Sequence, residues 1–148
     1  MQSSRPAGRT EGATGEVCQI LQKTNALEFG AFKLAGKRVT PYYIDLRVIP
    51  SFPDAFHVVS DILEAAVKTE LGTESFDRVA GIPAAGTPFA SIVAFRLNKP
   101  FLYTRQNLRL RGRERRVEGV LMPGDRVLLI DDLVTTGTSL ARAATYIK

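Results

Sequence analysis

From Glu16 onward, apolar residues fall at Val17, Ile20, Leu21 and Leu27, the three- and four-residue spacing of a single helical face. The spacing predicts a first helix that ends at Gly30. The next stretch, FKLAGKRVTPYYIDLRVI, carries Phe32 and Leu34, a basic turn at Lys37 and Arg38, and β-formers from Tyr42 to Ile49, which predicts a hairpin or strand pair. Pro53 and Asp54 then open a helix with Phe56, Val59, Ile62, Leu63, Ala66 and Val67 along one side, stopping near Gly72. His57 falls on its first turn and reads as a surface or capping residue. The second half alternates short apolar runs with helical patterns: strand Arg78 to Ile82, helix Thr87 to Leu97, strand Pro100 to Thr104, strand Arg126 to Ile130, and a helix from about Thr138. Such alternation predicts an α/β fold, a mostly parallel twisted sheet flanked by helices, with the N-terminal helix and hairpin as a small hood. Residues 1–14 are rich in Ser, Gly, Arg and Thr without periodicity and read as a flexible arm, leaving 15–148 as the domain.

In open α/β sheets, ligands lie beyond the carboxyl ends of the strands, and two strand ends here carry unusual loops, IPAAGTP and DDLVTTGTS. Val127 to Ile130 ends abruptly in Asp131 and Asp132, followed by Leu133, Val134, and then Thr135, Thr136, Gly137, Thr138 and Ser139 opening a helix. A helix N-terminus leaves amide N–H groups unpaired and carries partial positive charge, so those donors and the hydroxyls beside them suit a phosphate. Gly137 lets the backbone approach the ligand closely. Two adjacent carboxylates would repel that phosphate unless they face something else; vicinal ribose hydroxyls are suitable donors, with a divalent cation nearby to relieve the repulsion.

The chain has 148 residues, 45% hydrophobic and 24% charged, values of an ordinary globular domain able to bury a core. Cys18 is the sole cysteine, which excludes a disulfide scaffold and reads as inert, buried packing; one Cys and one His also disfavour a zinc cluster. No apolar run approaches membrane-spanning length, and the N-terminus lacks an apolar signal core, so a soluble, cytoplasmic protein is expected. The net charge of +5 belongs to one stretch: RQNLRLRGRERR, residues 105–116, holds six arginines against Glu114 and accounts for the whole excess. Its partner is expected to be polyanionic, either nucleic acid or a small multiply phosphorylated ligand.

The segment VLLIDDLVTTGTS resembles the phosphoribosyl-pyrophosphate motif of type I phosphoribosyltransferases. FKLAGKRVTPYYIDLR resembles the N-terminal segment of orotate phosphoribosyltransferases, and VAGIPAAGTPFA with KPFLYTRQNLRLRGRERRVEG resembles their pyrophosphate and mobile catalytic loops. The similarity runs from about Gly30 to Lys148. It implies a type I phosphoribosyltransferase fold in which Asp131 and Asp132 hold the ribose hydroxyls and Thr135 to Ser139 bind the 5-phosphate. It places Thr135, Tyr42 and Tyr43 beside orotate. It also implies that the backbone of Ala84, Ala85 and Gly86 meets pyrophosphate, often across a cis non-proline bond. Arg105, Arg109 and Arg111 would act on the leaving group, and magnesium would be held mainly by the ligand near Asp131 and Asp132. The implied protein is a homodimer sharing loop 105–117 across its interface.

The family's Arg-Lys-x-x-Lys-x-His-Gly loop here reads Arg105-Gln106-Asn107-Leu108-Arg109-Leu110-Arg111-Gly112, which keeps charge but removes the titratable imidazole. Its Leu-Lys-Ser-Gly becomes Leu34-Ala35-Gly36-Lys37. Further C-terminal strand, with an arginine for the orotate carboxylate, follows in the family after the helix that here reaches Lys148, so the domain is expected to lack it. The implied reaction makes orotidine 5-monophosphate and pyrophosphate from orotate and phosphoribosyl pyrophosphate. Another acceptor base is an alternative, as is a non-catalytic regulator that senses the ligand and uses the arginines on nucleic acid. Nucleic acid is the less favoured partner, because the loop follows a strand and lacks base-stacking aromatics.

Overall fold

A computed structural model describes residues 7–33, 39–105 and 116–148, and the chain divides into two compact units, Met1–Ile62 and Leu63–Lys148. In the first unit, helix α1 (Ala7–Lys23) starts inside the stretch expected as an arm and stops before Leu27, earlier than the expected end at Gly30. Asn25 is the cause: it takes a left-handed conformation (φ +53°), and the Ala26 N–H closes back on the Leu21 carbonyl at 2.9 Å. Ile20 and Leu21 are buried, while Cys18 is exposed, contrary to its expected packing role, because it lies about 100° around the helix from Val17.

Leu27 therefore begins a strand, β1 (Leu27–Lys33), which pairs antiparallel with β2 (Val39–Ile44). The expected strand pair is present, but the β-formers beyond Ile44 do not extend it. Asp45 accepts a hydrogen bond from the Arg47 amide at 3.0 Å and caps a 3-10 helix over Leu46–Ser51 that buries Ile49. Helix α2 (Pro53–Ala66) follows with Pro53 at its first position, continues as a wider π turn over Val67–Leu71, and ends at Gly72 (φ +76°). His57 is exposed.

The second unit is built on a four-stranded sheet ordered β5-β4-β3-β6, from β3 (Arg78–Gly81), β4 (Phe101–Thr104), β5 (Val117–Glu118) and β6 (Val127–Ile130). β3 runs parallel to both β4 and β6, as expected; β5, which periodicity did not reveal, is antiparallel to β4. Helix α3 (Gly86–Arg96) packs across β3, β4 and β6, and α4 (Thr138–Ile147) packs against β6. Val79, Ala80, Phe89, Ala90, Val93, Ala94 and Leu102 form the buried centre. Gly81 permits the close α3 approach, since a Cβ there would lie 2.7 Å from the Thr87 Cα.

Ion pairs pin the amino ends of β3 and β6. Arg126 bonds Asp77 at 3.0 Å through its guanidinium and at 2.8 Å through its amide, and Arg78 pairs with Asp125. The Arg126 guanidinium, through its hydrogen bond, holds the Asp77 carboxyl down at about 2. The parallel register thereby fixed brings the ends of β3, β4 and β6 to one edge of the sheet. Among the described residues, no helix is long and apolar enough to cross a membrane.

Candidate active site

Three chain segments leave that carboxyl edge: the turn after β3, Arg105 after β4, and the acidic pair after β6. With β3 between them, β4 and β6 end roughly 10 Å apart, two strand spacings.

After β6, Asp131 and Asp132 are half-buried, and the Asp132 amide donates to Asp131 Oδ1 at 3.0 Å. Burial, then the neighbouring Asp132 side chain, pushes the Asp131 carboxyl up to about 6. Like charge crowded in this way calls for donors or a cation opposite it. The chain then curls through Leu133, Val134, Thr135 and Thr136 around a concavity of about 50 Å³ that Asp131, Gly137, Thr138 and Ser139 also line. Thr136 and Thr138 share a hydroxyl hydrogen bond of 2.8 Å, and among the described residues no side chain caps α4, whose first residues line this concavity. Gly137 is left-handed (φ +75°), a conformation that favours glycine, and among the described residues no atom lies within 4 Å of where a Cβ would stand.

After β3, the peptide bond between Pro83 and Ala84 is cis, and among the described residues no side chain caps α3 either. The Gly86 amide donates to the Ile82 carbonyl at 3.1 Å, so this N–H is already engaged within the protein. What Gly86 supplies is proximity: a Cβ there would sit 2.5 Å from the Ile130 carbonyl oxygen and 2.8 Å from the Asp131 Cα. The turn is thus pressed directly against the backbone of the acidic pair, a contact that sequence reasoning missed.

After β4, Arg105 is half-buried, with Nη2 2.5 Å from Glu118 Oε1. Arg116 lies over the Tyr146 ring, 4.7 Å from its centroid, and donates to the Tyr146 hydroxyl at 3.1 Å. Arg109 and Arg111 lie outside the described residues, as does the Leu34-to-Lys37 turn. In the first unit, Tyr42 and Tyr43 stand on β2, and Arg47 Nη2 donates to the Tyr43 hydroxyl at 3.2 Å. Neither Glu118 nor Tyr146 was marked by the sequence, because a two-residue strand and a terminal helical turn leave no period to read.

No group of three or more His, Cys, Asp or Glu that could hold a metal occurs among the described residues. The adjacent carboxylates of Asp131 and Asp132 are oxygen donors of the kind a hard divalent cation takes, and they supply only part of the roughly six oxygens that such a cation needs.

Residues 51–148 match the phosphoribosyl transferase domain. The chain is 41% identical over 129 residues to the orotate phosphoribosyltransferase of Cenarchaeum symbiosum (strain A), across 87% of this chain and 64% of that protein's length. Among solved structures, Leishmania donovani UMP synthase matches with a TM-score of 0.79 at 32% identity, over 92% of this chain and 28% of that one. The orotate phosphoribosyltransferase of Aeropyrum pernix matches with a TM-score of 0.74 at 30% identity, over 88% of this chain and 72% of that one.

Proposed function

The chain belongs to the phosphoribosyl transferase domain family, and from that membership we propose that it transfers the phosphoribosyl group of phosphoribosyl pyrophosphate to orotate. The products are orotidine 5-monophosphate and pyrophosphate, a step of pyrimidine biosynthesis. The observation that carries the reading is the edge just described: acidic pair, uncapped α4 start and the turn before α3, brought together by one parallel register.

Each part has a role. Thr135 to Ser139 and the α4 amides take the 5-phosphate, while Asp131 and Asp132 accept hydrogen bonds from the ribose hydroxyls. The backbone of Ala84, Ala85 and Gly86 faces pyrophosphate, and Gly86 also sets how close that turn stands to Asp131. Displacement of pyrophosphate puts positive charge on the sugar and negative charge on the leaving group; fixed cations and amides at the pyrophosphate lower the barrier without a protein nucleophile. Arg105, Arg109 and Arg111 supply those cations. Asp131 and Asp132 would stand beside a magnesium ion held mainly by the ligand, which would supply charge neutralisation at the leaving group. Thr135, Tyr42 and Tyr43 are assigned to orotate, and the working protein is a cytoplasmic homodimer in which stretch 105–117 serves the neighbouring subunit.

Pyrophosphate release assayed with orotate and a panel of other bases tests this. Release with orotate alone is expected. Release only with a different base reassigns the acceptor, and tight nucleic-acid binding with no release from any base replaces the enzyme with a regulator. Replacing both Asp131 and Asp132 with Asn should weaken phosphoribosyl pyrophosphate at least about tenfold by calorimetry, through lost charge-assisted hydrogen bonds.

A further inference from the structure

Val117 and Glu118 form a strand of two residues, yet several contacts fix it in place. Glu118 pairs with Tyr103 and Val117 with Thr104 in the ladder, and the Arg105 amide donates to the Arg116 carbonyl at 2.9 Å. Gly119 follows at φ +107°, where a Cβ would meet Leu102 Cδ2 at 2.6 Å and the Phe101 carbonyl oxygen at 3.0 Å, so the chain is pressed against β4 with no room to slide. This setting aims the Glu118 carboxylate at Arg105 Nη2, with 30% of the Glu118 side chain and 21% of the Arg105 side chain exposed. Arg105 Nε is buried and has no acceptor among the described residues.

We propose that Glu118 is a positioning residue for pyrophosphate recognition: it holds the Arg105 guanidinium by one terminal nitrogen at the carboxyl edge and leaves the other for pyrophosphate oxygens. This rests on the reading of Arg105 given above. A guanidinium presents its donors in a planar fork, so with Nη2 on one carboxylate oxygen and Nε buried, the other terminal nitrogen is the donor left for a ligand. A long arginine side chain loses rotamer freedom when it grips a ligand, and an ion pair formed beforehand removes that cost from the binding step. Electrostatics alone argues the other way, because a carboxylate beside an anion site repels the anion. The sign of the effect therefore separates positioning from mere proximity.

Calorimetry on the full chain with magnesium pyrophosphate, and separately with ribose 5-phosphate, decides the matter. Glu118→Gln should weaken pyrophosphate about tenfold, the loss of a little over one kilocalorie of preorganisation per mole, and leave ribose 5-phosphate within about twofold. In an Arg105→Ala background the same change should add almost nothing, since the residue it positions is gone. Glu118→Asp, which keeps the charge on a shorter stem, should fall between and carries the same comparison if the Gln variant does not fold. Unchanged or tighter pyrophosphate binding, parallel loss of both ligands, or full additivity with Arg105→Ala would overturn the proposal while leaving Arg105 itself in place. If Arg105→Ala does not weaken pyrophosphate, the assignment of Arg105 fails, and the role of Glu118 fails with it.

Discussion

Asp131 is set against its own ionisation. Its folded-state carboxyl sits at about 6 rather than 3.8, raised by burial and by Asp132, so the unfolded chain gives up this proton first. The stability linked to the protonated group is full below about pH 3.8 and is lost as pH climbs through about 6. Asp131→Asn, locked in the neutral form, should flatten the pH dependence of the melting temperature across that window and melt higher than the parent at pH 7. Identical melting profiles for the two proteins would sink this account. In the parent, affinity for phosphoribosyl pyrophosphate should fall as pH drops below about 6, because a protonated carboxyl accepts ribose hydrogen bonds poorly. Gly137 makes a different demand: Gly137→Ala meets no steric block, but at φ +75° it should cost about 1 kcal/mol in chemical denaturation.

Between elements, the decisive spacing is that of α3 against β6. Gly86→Ala must push the Ile130 carbonyl and the Asp131 Cα away, so it should destabilise by about 1–3 kcal/mol, as overpacked sites do. It should also weaken ribose 5-phosphate binding, although Gly86 touches neither the ribose nor the 5-phosphate in the proposed arrangement; undiminished affinity in a folded variant would separate the two loops. The elements around this contact were the most legible in the sequence: β3, α3, β4 and β6 lie within a residue of their expected ends, and α4 starts at Thr138. Buried parallel strands read as short apolar runs, and the helices between them keep their period. Legibility failed where one polar residue overrides a pattern. Asn25 stops α1 before Leu27 can join it, and Asp45 turns the β-forming residues after it into a 3-10 helix. In the site, the order of acid pair, threonines and glycine was readable from chemistry alone. The Glu118 ion pair and the Gly86 contact were not, because each depends on which strands lie side by side.

At the scale of the whole chain, burial is unevenly shared. Val79 and Ala80 on β3 are fully covered and flanked by a parallel partner on each side, whereas Phe29, Val39 and Tyr42 on the two-stranded pair stand largely exposed. Hydrogen exchange should therefore be slowest in Val79–Gly81 and fastest among paired strands in β1 and β2; equal protection in both would contradict the packing. Ligand bound at the carboxyl edge should slow exchange around β6 and the start of α4 in proportion to its free concentration over Kd. The pairing of Arg116 with Tyr146 has an optical consequence. The chain contains four tyrosines and no tryptophan, so its near-ultraviolet absorption and emission are almost wholly phenolic. Tyr146 lies under a guanidinium at the far end of the helix whose first turn faces the phosphate-sized concavity, and Tyr103 stands opposite Glu118 in the ladder. Occupancy of the edge can thus be followed by difference spectroscopy on the unlabelled protein, with Tyr146→Phe identifying which chromophore reports it.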